Sequence, residues 1–280
     1  MKPAAFDYLR PADLEEALDA LHEHGSDAKV MAGGQSLMPM LNMRLLTPAV
    51  IVDISDLGAL DRIEAANGHV EIGAATTQAA LGEWPDLASK SPLLAKALPN
   101  IGHFQTRNRG TVCGSLAHSD PSSELPLCLA TLGGEVVLRS REGGRTVAAV
   151  DFQTDMLTTD CGPQEMVVAA RFPVAAPGAG YAFAEIARRH GDFAIVALAA
   201  MVKGDTIRLG VGGVADTPQV REWQGIADDP QGDAIADALN AFAWEMGGGD
   251  DVHASARYRR EIVRRIGPRV IGEARDAADR

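Results

Sequence analysis

The sequence predicts an α+β fold in two domains, and three observations carry that prediction. Short apolar strands alternate with amphipathic helices through the first part of the 280-residue chain. Consecutive strands then run from Tyr181 to Val214, followed by two helices. Between the blocks lies 171–180, Arg-Phe-Pro-Val-Ala-Ala-Pro-Gly-Ala-Gly, whose composition marks a boundary. A chain of this length suits one large domain or two ordinary ones.

The first element is a helix: Asp13 stands at an N-cap position, Glu16 follows three residues later, and Leu14, Ala17, Leu18 and Leu21 form an apolar face. Gly25 supplies its stop. A short strand, Ala28 to Ala32, runs into Gly33-Gly34, a second helix starts at Ser36, and Val50 to Ile54 forms the next strand. This is a strand–glycine turn–helix–strand unit. Strands and helices alternate from Val70 onward, with Glu135 to Arg139 a strand. The closing helices span Asp233 to Met246 and His253 to Ala274, parted by Gly247-Gly248-Gly249. Seven arginines between Arg257 and Arg275 make either a solvated helix face or a docking surface for an acidic partner.

Composition excludes several classes. Lys and Arg number 26 against 38 Asp and Glu, a net charge of −12, so bulk charge does not suit nucleic acid or an anionic membrane. The longest apolar run, Phe193 to Val202, is half of the roughly 20 residues a bilayer span requires. The N-terminal residues show no apolar signal segment, and the expectation is a soluble, cytoplasmic protein. Cys113, Cys128 and Cys161 are too few and too scattered for a disulfide framework, zinc ribbon or iron–sulfur ligand set. Any metal cluster in its chemistry therefore sits on another chain.

Two glycine-rich segments carry the chemistry. In Val30-Met31-Ala32-Gly33-Gly34-Gln35-Ser36-Leu37, a strand ends in two glycines before a helix start. Glycine permits close approach, and unpaired N–H groups at a helix start suit a diphosphate, although a tight turn alone explains the pattern equally well. Neither Gly-x-Gly-x-x-Gly nor a Gly-Lys-Ser/Thr phosphate loop is present. The second segment runs from Arg109 to Glu124 and is dense in hydroxyls, with His118 and Asp120. Ser115, His118 and Asp120 do not make a hydrolase triad, because one short loop lacks a nucleophile elbow and an independent orienting group.

Taken together, these segments resemble those of the FAD-binding medium subunits of the molybdenum hydroxylases, the carbon monoxide dehydrogenase medium subunit and its relatives. Ala32 to Ser36 resembles that family's first flavin loop; Thr111-Val112-Cys113-Gly114-Ser115, with Ala117-His118-x-Asp120-Pro121, resembles its second. Asp151-Phe152, Glu165, Arg171-Phe172-Pro173, Arg188 to Ala194 and Ser255-Ala256-x-Tyr258-Arg259 are further matches, in order along the chain.

The resemblance implies a vanillyl-alcohol-oxidase-like (PCMH-type) FAD-binding fold of two subdomains, about 1–57 and 58–175. A smaller α+β C-terminal domain, 176–280, of antiparallel sheet plus helices follows. It implies noncovalent FAD here, with molybdopterin on a large partner subunit and [2Fe–2S] clusters on a small one, in a dimer of heterotrimers. Electrons would pass from the clusters through FAD to an external acceptor, and the substrate, with a leaning toward an N-heterocycle, would be oxidised on the large subunit. Ala32, Gly33, Gly34, Gln35, Ser36 and Leu37 would wrap the pyrophosphate, and Thr111, Val112, Cys113, Gly114 and Ser115 would line its other side. Asp120 would meet flavin hydroxyls or merely start a turn; His118 would touch the flavin or satisfy loop carbonyls. Cys161 and Glu165 complete the site. No catalytic residue and no metal ligand is expected on this chain.

Three positions depart from the family pattern. Cys113 stands where glycine is usual, and a thiol there is either tolerated or crowds the cofactor. Asp160-Cys161 replaces an apolar pair covering the flavin ring, bringing a carboxylate that would disfavour the anionic reduced flavin. Glu185 replaces a basic residue before Arg188 and Arg189, which themselves suggest interdomain or intersubunit ion pairs. The competing classes are a stand-alone vanillyl-alcohol-type flavin oxidase and a scaffold that has lost FAD.

Overall fold

A computed structural model describes residues 2–279. Among the described residues fourteen strands form four sheets: β1 (Asp7–Leu9), β2 (Ala28–Met31) and β3 (Val50–Asp53) make a parallel sheet in the order β1-β3-β2. Beside it, β4 (Ile63–Ala66), β5 (His69–Gly73), β6 (Glu135–Ser140), β7 (Gly143–Ala148) and β10 (Met166–Pro173) form an antiparallel sheet, β4-β5-β10-β6-β7. A small ribbon pairs β8 (Gln153–Asp155) with β9 (Thr158–Thr159). The last sheet is a meander of β11 (Ala179–Ile186), β12 (Val196–Lys203), β13 (Thr206–Gly212) and β14 (Gln219–Gln224).

Local chemistry explains the first unit. Asp13 caps the Leu14–His24 helix by accepting from Glu16 N–H at 2.9 Å, and Ala17, Leu18 and Leu21 are buried. Gly25 ends the helix at φ +49°. All four residues of β3 are buried, as expected for the centre of a covered parallel sheet. The helix after Gly33-Gly34 is short, Leu37–Asn42.

The C-terminal sheet is covered on both faces. Along β12, Ala197 and Ala199 join the core shared with the first sheets, whereas Val196, Leu198, Ala200 and Val202 join a second core. That core lies under the helices Asp233–Glu245 and Ala256–Ala278. Double coverage accounts for an apolar run without alternation. The opposite face receives the helix Glu124–Leu132, which touches β12, β13 and β14. The two-faced sheet thus joins the C-terminal helices to the glycine loops.

The arginines of the last helix divide by role. Arg264 and Arg265 pair with Glu261, Arg269 with Glu273, and Arg275 with Asp228. Arg259 is 5% exposed and donates to the carbonyls of Ile195 (2.8 Å) and Gly213 and to Asp251. This arginine is an internal tie, a role neither surface reading foresees. Among the described residues no helix is long and apolar enough to cross a membrane.

Candidate functional site

A cleft of about 610 Å³ opens between the two glycine-rich segments. Residues 29–37 form one wall and 110–111, 113–115 and 117–118 another; 161, 165–167 and 191–193 close the remaining sides. The walls meet through backbone: a Cβ on Gly33 would overlap the Arg109 carbonyl oxygen and lie 2.7 Å from its carbon. Only glycine permits that approach. Gly34 adopts φ +69°, a conformation glycine takes without strain.

The first loop presents unpaired donors. Among the described residues, the N–H groups of Gly33, Gly34, Gln35 and Ser36 have no protein acceptor, and the Ser36 hydroxyl caps nothing. Gln35 Nε2 donates to the Gly33 carbonyl at 3.1 Å, which steadies the turn. Lys29 is the sole Lys or Arg in the lining, so an anion here would be met mainly by neutral N–H groups.

The second loop is less open than its composition suggests. Thr111 caps the helix Val112–His118, accepting from Gly114 N–H at 3.0 Å, while Val112 N–H donates to the Thr76 carbonyl. Ser115 N–H donates to the Thr111 carbonyl at 3.2 Å, so three N–H groups of this segment are engaged, in contrast to the first loop.

Thirteen of the fifteen expected site residues line the cleft: Ala32, Gly33, Gly34, Gln35, Ser36, Leu37, Thr111, Cys113, Gly114, Ser115, His118, Cys161 and Glu165. Val112 does not, being fully buried in the core. Neither does Asp120, whose carboxylate accepts from Ser122 N–H at 2.8 Å and so initiates the turn. His118 is half-buried in the lining, and among the described residues its ring makes no hydrogen bond, so it does not satisfy loop carbonyls.

The departures resolve differently. Cys113 is 2% exposed, its thiol donates to the Ile72 carbonyl at 3.4 Å, and burial pushes its pKa up to about 12. It is a buried core thiol. Asp160 lies outside the lining, and Arg145 holds it at 2.5 Å while gripping both Glu165 oxygens at 2.7 Å. Asp160 is therefore paired with Arg145 outside the cleft lining. Hydrogen bonding by Arg145 holds the Glu165 carboxyl below its usual range against an opposing burial effect. Glu165 also accepts from Gly162 N–H at 2.8 Å, fixing the turn that carries Cys161. Burial raises the Cys161 thiol to about 11. Arg189 pairs locally with Asp192 rather than across domains.

Three lining residues escape sequence reasoning. Phe193, 67% exposed, belongs to a loop rather than to the strand its apolar neighbours suggest. Gln78 is 5% exposed, yet its Oε1 is buried without a partner on the cleft wall. Glu124, 6% exposed, lines the cleft at the start of its helix, and burial raises its carboxyl to about 7. An apolar run, an isolated glutamine and a glutamate after two serines carry no distinctive local signal.

The cleft fits a long ligand with a compact anionic segment: free N–H donors at the glycine turn, then an apolar wall including Ile101, Leu157, Met166 and Phe193. Comparisons with known proteins agree. Residues 4–175 match the family model for the FAD binding domain in molybdopterin dehydrogenase, and 181–274 match the CO dehydrogenase flavoprotein C-terminal domain. The 6-hydroxypseudooxynicotine dehydrogenase complex subunit alpha of Paenarthrobacter nicotinovorans is 36% identical, covering 98% of this chain and 96% of its own. The caffeine dehydrogenase subunit beta of a Pseudomonas species is 32% identical over 99% and 97% of the two chains. Reconstituted CO dehydrogenase from Oligotropha carboxidovorans superposes with a TM-score of 0.91 at 32% identity, over 99% of this chain and 100% of the other. The chain belongs to the FAD-binding medium subunits of the molybdenum hydroxylases, and it is an oxidoreductase subunit.

Proposed function

We propose that this chain holds noncovalent FAD between its two glycine-rich loops and relays electrons from [2Fe–2S] clusters of a small partner subunit to an external acceptor. A large molybdopterin subunit oxidises the substrate, the complex assembles as a dimer of heterotrimers, and it works in the cytoplasm. The carrying observation is the row of unpaired N–H groups from Gly33 to Ser36, set against the Arg109–Gly110 backbone. FAD, when bound, supplies exchange of electrons singly or in pairs.

This chain's own residues bind and orient. The Gly33 to Ser36 amides would hold the diphosphate, with Thr111 to Ser115 opposite. The apolar wall would exclude water from the ring system, and the Arg145–Glu165 clamp would hold the Cys161 turn against it. The absence of histidine from the first loop, where Gln35 stands, favours noncovalent attachment over the covalent link of a stand-alone oxidase. The FAD-binding part would comprise 1–175, with subdomains 1–57 and 58–175, and the C-terminal domain 176–280. Two relatives bear names of nitrogen-heterocyclic compounds, which supports an N-heterocycle as the substrate of the complex.

The test is the complex reconstituted with either native or Gly33→Ala medium subunit. Native complex should pass substrate electrons to the acceptor. The variant should reduce its clusters yet stall there. Full acceptor turnover without flavin would overturn the relay.

A further inference from the structure

We propose that Gln78 is a cofactor-binding residue of the cleft, its side-chain oxygen accepting a hydrogen bond from a sugar hydroxyl of FAD that flanks the diphosphate. The proposal rests on the FAD reading of the cleft. Gln78 opens the helix Gln78–Glu83, lies on the cleft wall and is 5% exposed. Its Oε1 is shielded from solvent and has no hydrogen-bond partner among the described residues. A buried acceptor left unpaired is destabilising, and native folds leave few of them.

The orientation of the amide follows from its neighbours. Gln78 Nε2 donates to the Thr111 carbonyl at 3.5 Å, and a carbonyl accepts only from the nitrogen end, so the oxygen turns away from Thr111. It lies against Gly110, where a Cβ would stand 3.4 Å from Oε1. The nearby main-chain donors are taken: Gly110 N–H by the Thr106 carbonyl at 2.7 Å, and Gln78 N–H by the Gly110 carbonyl at 2.8 Å. The same Gly110 abuts the first loop, its Cα lying 2.8 Å from where a Cβ on Gly33 would stand. One glycine therefore separates the unpaired acceptor from the unpaired amides of Gly33 to Ser36.

The first loop is rich in free donors and poor in free acceptors. Its Met31, Gly33, Gly34 and Ser36 carbonyls already accept from Ile54 N–H, Gln35 Nε2, Met38 N–H and Met40 N–H. Glu165, also in the lining, is committed to Arg145 and to Gly162 N–H. Free amides suit the diphosphate. The ribityl chain and the ribose on either side of it bring hydroxyl donors, which need an acceptor where water is excluded. Gln78 Oε1 supplies one. A single 3.5 Å bond holds the amide loosely, and the terminal torsion of glutamine is broad, so a small rotation presents the oxygen to the cleft.

The experiment titrates three cofactors into the flavin-stripped full chain and follows flavin fluorescence: FAD, FAD lacking the ribityl hydroxyl nearest the phosphate, and FAD lacking the ribose hydroxyls. The native chain is compared with Gln78→Met, which keeps length and packing without the acceptor, and with Gln78→Leu, circular dichroism confirming that each is folded. FAD should bind about three- to tenfold more weakly to either variant. The analogue without the contacted hydroxyl should lose as much on the native chain and nothing further on the variants, which tells ribityl from ribose. Without cofactor, Gln78→Met should unfold at or above the native temperature, because the unpaired acceptor is gone. Equal FAD affinity in the native chain and Gln78→Met overturns the contact. The same loss with all three cofactors, together with a lower unfolding temperature, overturns it too and makes Gln78 a structural residue. A native chain that binds none of the three overturns the cofactor reading itself.

Discussion

Gly33 and Arg109 meet backbone to backbone, Cα against carbonyl, so that no side chain fits at position 33. That contact joins the parallel sheet's glycine turn to the loop before the Val112–His118 helix, and it shapes the cleft between them. Gly33→Ala should force the loops apart at a cost of about 1–3 kcal/mol, the usual range for overpacking. Flavin content and thermal unfolding of the purified variant check this; native flavin content with native stability would contradict the packing.

Gly34 behaves differently, because a Cβ there meets Met31 Sδ at an ordinary 3.4 Å but inherits φ +69°. Gly34→Ala should therefore cost about 1–2 kcal/mol from backbone strain and keep much of the FAD. Gly34→Asp tolerates the dihedral better yet should lose FAD through charge repulsion. Equal flavin occupancy in the two variants would remove charge as the discriminating effect.

Arg259 ties the final helix to the Ile195 and Gly213 carbonyls. Arg259→Ala leaves buried acceptors unpaired, so a loss of about 2–4 kcal/mol is expected in denaturant unfolding. Arg259→Lys should not restore it, since an ammonium lacks the planar fork. Because Ile195 follows Phe193 closely, FAD affinity should fall as well.

The cysteines should label in a fixed order. Cys161 is half-buried and its thiol is raised to about 11, whereas Cys113 is buried and raised to about 12. Burial also raises Cys128 well above its ordinary value. Under mildly alkaline alkylation Cys161 should react first, though slowly, and bound FAD should protect it. Cys113→Ala should keep FAD. Rapid modification of Cys113 in folded protein would show the thiol to be exposed.

Stability should respond to pH in two opposite senses. Hydrogen bonding by Arg145 depresses Glu165, and backbone hydrogen bonds from Ala254 and His253 depress Asp251. Their stabilisation is present above the ordinary carboxylate range and lost as pH falls through the depressed values. Glu124 and Glu185 are raised, so their contribution is full below about 4.5 and lost as pH rises toward about 7 and about 8. Relative to the native chain, Glu185→Gln should gain thermal stability as pH rises across that window. A difference independent of pH would contradict the assignment.

Much of this was legible locally. Asp13, Glu16 and Gly25 mark a helix, and Ala28 to Gly34 mark a strand ending in a turn, because capping and close approach act over a few residues. The strand β1 is not legible, since three residues with partly exposed side chains are held only by parallel pairing with Val50–Val52. Polar β14 likewise depends on its partner, β13. Phe193 reads as strand because its neighbours are apolar, whereas it lies in the loop ahead of β12, which begins at Val196.

The most direct measurement of the central claim is FAD content of the purified chain after acid precipitation. One FAD per chain, released into the supernatant and abolished in folded Gly34→Asp, is the expected result. A folded native chain that takes up no FAD in excess cofactor, or a flavin that stays with the precipitate, would contradict it.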